Sequence, residues 1–153
     1  MSVTALSPVL EELLSVGTSV EITVSGNSMY PMLKHQISRV RLAPTGDLRI
    51  GDLPLYRREN GAYVLHRIVG RKDGGYVCCG DNQRELEFGI RREQIVAVAT
   101  DYCRSDRWRS CASWTYRLYA RVWIAVRPCR HAFLSVGRWV FRFFRRAKNH
   151  FKK

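Results

Sequence analysis

The stretch VEITVSGNSMYPML, residues 20–33, decides how the chain is read. Its first half alternates, with Val20, Ile22 and Val24 set against Glu21 and Thr23, which is the period-two pattern of a strand with one buried face. Beyond it, Gly26 permits a tight turn and Pro31 stops regular pairing, so Ser28 is expected at a strand end, exposed and held. A serine so placed suits two roles: a turn residue bonding its own backbone, or a nucleophile presented to a substrate.

Upstream of this strand, Ser7 is a candidate cap with Pro8 at the first helical position. Leu10, Leu13 and Leu14 then make one apolar stripe that ends by Gly17. Downstream, short strands are expected at 39–42, 53–57, 62–69, 75–79 and 94–100, divided by turns containing Gly, Pro and Asp. The spacing predicts a mainly β body.

The charge is unevenly placed over the 153 residues, which carry a formal net charge of +13. Residues 1–103 balance 12 Lys and Arg against 12 Asp and Glu, whereas residues 104–153 hold 14 against the single acid Asp106. The expected organisation is therefore a neutral domain over 1–103 and a basic, aromatic-rich helical tail over 104–153. In the tail, Trp108, Trp114, Trp123 and Trp139 alternate with arginines, and Pro128 separates two helix-length pieces. At 100° per residue, Phe133, Val136, Val140, Phe143 and Phe144 gather on one face, while Arg138, Arg142, Arg145 and Arg146 gather on the other.

With 46% apolar residues the chain is too hydrophobic for general disorder, and no repeat is present. No apolar run reaches the ~20 residues of a spanning helix, and the first residues have neither the basic nor the apolar region of a signal peptide. A cytoplasmic chain, peripheral at a membrane, is the expectation. The five cysteines are odd in number and show no C-x-x-C spacing, so neither a metal nor another cofactor is expected.

Four blocks in order, SGNSMYPML, GDLPLYRRENGAYVLHRIVG, GYVCCGDNQ and IRREQIVAVAT, together resemble the S24/S26 peptidase superfamily, specifically its signal-peptidase-like members. The resemblance covers roughly residues 18–101 and stops before the tail. It implies a β-ribbon partial barrel of the signal-peptidase/S24 type, here with a short N-terminal helix and C-terminal amphipathic helices. It also implies that Ser28 is the nucleophile. His66 stands where the bacterial housekeeping enzymes carry lysine, so the chain is similar to the histidine branch, with His66 as general base. The third member is open: Asp81 in the Gly80-Asp81-Asn82 turn is the first candidate, with Glu85 and Glu87 as alternatives.

The function implied is a serine endopeptidase acting on an extended peptide or precursor protein through an acyl-enzyme. The Ser28 backbone N–H would form part of an oxyanion hole. Gly26 lacks the hydroxyl that lysine-branch enzymes often place there, and Asn27 is a candidate substitute. Met29, Tyr30, Met32 and Leu33 are expected at the apolar substrate rim. For the tail, an anionic membrane surface is favoured over packing on the body or on another subunit, with nucleic acid less favoured. A non-catalytic peptide- or membrane-binding module with the same fold is the competing reading.

Overall fold

A computed structural model describes residues 7–129. The N-terminal helix α1 (Ser7–Ser15) is followed by β1 (Val20–Thr23), β2 (Arg39–Ala43), β3 (Pro54–Arg57), β4 (Tyr63–Leu65), β5 (Arg67–Lys72), β6 (Gly75–Cys79), β7 (Glu87–Ile90), β8 (Ile95–Arg104), β9 (Arg107–Ser110) and helix α2 (Trp114–Ala125). The protein is mainly β, with one curled half-barrel sheet, as expected.

The larger sheet has the order β1-β2-β8-β3-β4, with β9 pairing the far half of β8, and every pairing is antiparallel. The ten-residue β8 is its hub, because it bonds β2, β3 and β9 in turn. Register shifts at Arg41/Leu42 and at Leu55/Tyr56 fall on both sides of this hub, and bulges of this kind increase twist and let a sheet curl. The smaller sheet, β5-β6-β7, is a three-stranded meander.

The stretch 62–69, expected as one strand, is instead two strands in two sheets. Leu65 pairs with Leu55 in β3, while Arg67 pairs with Cys79 in β6. Past the break, the Ile68 N–H donates to the Asp52 carbonyl and the Gly51 N–H donates to the Ile68 carbonyl. The backbone thus changes partners at His66, which sits between the sheets.

Leu10 and Leu14 of α1 bury against Val40, Leu42, Leu53, Leu55, Ala97 and Ala99 of the large sheet, while Leu13 remains partly exposed. A second cluster, Leu48, Tyr56, Ile68, Cys78, Ile90 and Ile95, joins the two sheets.

The boundary placed at residue 103 falls inside β8. The β8–β9 hairpin and α2 belong to the body, since Cys111, Tyr116 and Ala120 are members of the main core. Ser113 caps α2 by accepting a hydrogen bond from the Tyr116 N–H. The helix packs so close that a Cβ at Gly51 would lie 3.2 Å from the Ala120 Cβ. Composition misled here because the arginines of this segment occupy outward positions, while a few small and aromatic residues make the inward face. Arg138, Arg142, Arg145 and Arg146 lie outside the described residues. Among the described residues no helix is long and apolar enough to cross a membrane.

Candidate active site

The chain leaves β1 through a turn that is pinned at several points. Val24 exchanges backbone bonds with Ser38 and Gln36, and the Gly26 N–H donates to His35 Nδ1 at 2.8 Å, with Gly26 at φ +89°. His35 therefore braces the turn. Met29, the residue after Ser28, is buried in the main core and anchors the loop there. Ser28 itself is half-buried, and its carbonyl accepts a 2.7 Å bond from the Asn82 N–H. The Asn82 side chain also donates to the Asn27 carbonyl at 3.3 Å.

The Gly80-Asp81-Asn82 turn is thus the bracket that holds the serine loop. A Cβ at Gly80 would stand 2.7 Å from the Ser28 carbonyl oxygen and 2.6 Å from Gln83 Oε1. The first of these is backbone and has no rotamer to move into. Gly80→Ala is expected to cost about 1–3 kcal/mol, the usual range for forced overpacking, as measured by urea denaturation.

His66 is buried at the junction of the sheets, with 2% of its surface exposed. Its Nδ1 lies 2.8 Å from Glu87 Oε1 and 3.2 Å from the Tyr56 hydroxyl. Glu87 is in turn gripped by Arg58, whose Nε donates to Oε2 at 2.8 Å and whose Nη2 donates to Oε1 at 2.7 Å. A carboxylate against Nδ1 selects the tautomer with the proton on Nδ1 and leaves Nε2 as the acceptor. Burial pushes the imidazole below its ordinary pKa, and the Glu87 charge offsets part of that shift. Burial acts against the Glu87 carboxylate too, but hydrogen bonds from Arg58 and Tyr56 and the neighbouring His66 hold it below the usual range.

Ser28 and His66 line the same groove, a cavity of about 240 Å³. Its walls include Ile22 and Thr23 of β1 on one side and Tyr63, Val64 and Leu65 of β4 on the other. These are the two outer strands of the large sheet, so its curl brings both open edges to one cleft. Neither Ser28 Oγ nor His66 Nε2 has a hydrogen-bond partner among the described residues.

Asp81 is placed elsewhere. Its carboxylate takes both Arg67 Nε and Nη2, at 2.8 and 2.7 Å, and both side chains are almost wholly buried. Arg67 also donates to the Gly51 carbonyl and the Tyr116 hydroxyl, and Trp123 Nε1 donates to the Asp81 carbonyl at 3.2 Å. The carboxylate that touches His66 is Glu87, the alternative, and not the first candidate Asp81. Glu85 is exposed, and its carbonyl accepts from the Cys79 thiol.

The rim is also narrower than expected. Met29 lines the groove, but Met32 and Leu33 are buried in the main core because the chain turns inward after Pro31. Tyr30 and Asn27 are exposed without lining the groove, and Asn27 bonds through its carbonyl.

Tyr56 and Arg58 went unnoticed in the sequence. Arg58 and Glu87 are 29 residues apart, and only the approach of the two sheets unites them. Among the described residues no group of His, Cys, Asp and Glu is arranged to hold a metal ion. No protein-family model, curated protein or solved structure matches the chain.

Proposed function

We propose that the chain is a serine endopeptidase of the signal-peptidase-like type, with Ser28 as nucleophile, His66 as base and Glu87 as the group that orients the imidazole. The observation that supports it best is the shared groove: Ser28 and His66 both line it, and Glu87 occupies Nδ1 so that Nε2 remains free to accept a proton. In the reaction, Nε2 takes the Ser28 hydroxyl proton as Oγ bonds to the substrate carbonyl carbon. The proton then passes to the leaving nitrogen as the C–N bond breaks. Water, deprotonated by the same nitrogen, hydrolyses the acyl-enzyme.

The substrate enters as an extended strand. Open edges at β1 and β4 offer unpaired backbone groups on both sides of the groove, and strand addition gives affinity without demanding a sequence. The Ser28 N–H, unbonded among the described residues, supplies one oxyanion donor. With glycine at 26, no side chain adds another from that position. The basic residues of the C-terminal segment hold the enzyme at an anionic membrane surface, where its substrate is presented.

Labelling by a fluorophosphonate probe tests this reading. Wild-type protein is expected to be acylated at Ser28, and Ser28→Ala and His66→Ala to remain unlabelled while folded. Equal labelling of all three would sink the proposal. The Cys78 and Cys111 thiols do not compete, since burial pushes both up to about 12. The rate should also report His66: the imidazole must be neutral to act, and burial lowers its pKa from 6.5, so the acid limb of the pH profile is expected below that value.

A further inference from the structure

The β8–β9 hairpin carries a second cavity that the peptidase reading does not use. Its register sets Tyr102 opposite Arg109 and Arg104 opposite Arg107, on one face. Trp108 points to the other face, where the guanidinium groups of Arg39 and Arg41 lie 5.5 and 4.6 Å from its ring. Asp106, the only acid after Asp101, is 3.9 Å from Arg39 on that same far side.

Like charges directly opposite on paired strands are destabilising. Yet the guanidinium groups of Arg104, Arg107 and Arg109 have no ion pair or hydrogen bond among the described residues, and all three residues border one cavity of about 640 Å³. The described lining contains no carboxylate. Its other walls are Thr115 and Tyr119 of α2 and the Pro31-Met32 step. The two buried acids among the described residues are committed elsewhere, Asp81 to Arg67 and Asp52 to Arg117.

The neighbouring face of α2 indicates what reaches this cavity. Trp114, Leu118 and Val122 recur every fourth residue and are 75%, 53% and 52% exposed. They form a stripe directly beside Thr115 and Tyr119 on the same helix. An apolar stripe with a tryptophan at one end, adjoining a cluster of unpaired guanidinium groups, matches the boundary between acyl chains and phosphate in a membrane.

We propose that the cavity bounded by Arg104, Arg107 and Arg109 takes the phosphate of an anionic phospholipid headgroup, with the Trp114-Leu118-Val122 stripe lying in the acyl boundary. Guanidinium groups bond phosphate oxygens in pairs, and the cavity has room for the glycerol part of a headgroup beside Tyr102 and Tyr119. This deepens the membrane contact proposed above by giving it a defined site on the body. It does not depend on the chemistry at Ser28.

The test titrates full-length protein with monomeric, water-soluble dihexanoyl phosphatidylglycerol by calorimetry, with dihexanoyl phosphatidylcholine and inorganic phosphate in parallel. Saturable one-to-one binding of the phosphatidylglycerol is expected, weakened at least about 10-fold in Arg107→Gln/Arg109→Gln. The tail variant Arg142→Gln/Arg146→Gln should bind as wild type does. The hairpin variant should fold at least as well as wild type, because it removes a repulsive pair, and its melting temperature at low salt checks this.

Unchanged binding in the hairpin variant would overturn the proposal, as would loss confined to the tail variant, which leaves the broader membrane reading standing. Inorganic phosphate binding as tightly as the lipid would also overturn it, by reducing the cavity to a general anion site.

Discussion

Glu87→Gln is expected to lower turnover by up to about 10⁴-fold on the proposed chemistry, the loss seen when the carboxylate behind a catalytic histidine is neutralised. The amide keeps the shape but can present N–H to Nδ1, which favours the wrong tautomer and removes the charge that stabilises the imidazolium. The pH profile separates this from a loss of fold. Glu87 raises the His66 pKa, so its removal moves the acid limb to lower pH, while Arg58 lowers that pKa, so Arg58→Met moves the limb the other way. The Arg58–Glu87 pair is partly exposed, and its contribution to stability is about 1 kcal/mol or less. A Glu87→Gln protein with normal turnover, assayed by single-turnover peptide cleavage, would remove Glu87 from the site.

Asp81→Ala has the opposite signature, a large effect on folding. It strands the buried Arg67 guanidinium without its counter-charge, and breaking such a pair from one side costs about 3–5 kcal/mol. Domains of this size are typically stable by only about 5–15 kcal/mol, so a large part of the total is at stake. Arg67→Met should be nearly as harmful, since it leaves Asp81 buried and charged. The double variant Arg67→Met/Asp81→Leu should recover much of the loss, because neither charge then has to be desolvated. Chemical denaturation of the three proteins checks this, and equal losses in singles and double would show that packing, not charge pairing, dominates. Any folded fraction of Asp81→Ala is expected to move the acid limb to lower pH by less than Glu87→Gln does, because Asp81 raises the His66 pKa less than Glu87 does.

The strands at 20–23, 39–43, 54–57 and 75–79 were legible because their alternation or turn punctuation is local. Ser28 was legible for the same reason, as a residue trapped between a glycine and a proline. The division at His66 was not, because YVLHRIV has the same period on both sides of the break, and only the change of hydrogen-bond partners from β3 to β6 reveals it. The carboxylate behind His66 depends on that division, so sequence alone put Asp81 ahead of Glu87. Strand β7, which carries Glu87, contains an exposed Phe88 and Gly89 at φ +69°, and neither signals a strand. The tail misled through its charge, for a hairpin and a helix can belong to a core on the strength of Cys111, Tyr116 and Ala120 alone.

The position of His66 between the two sheets sets how the molecule fails. The smaller sheet has three strands and is tied to the rest by a cluster of six buried side chains, by Arg67 bonding Gly51 and Tyr116 and by Glu87 bonding Arg58, against fifteen buried side chains in the main core. Cooperative units with fewer contacts open first. Glu87 rides on the frailer unit, and the Gly80-Asp81-Asn82 turn that brackets the Ser28 loop leaves the same sheet, so a partial opening withdraws the carboxylate from His66 and loosens the serine loop while most of the backbone is still native. On the proposed chemistry the protein therefore carries its own thermal fuse: the site disconnects before the fold does, and reconnects when the small sheet closes again.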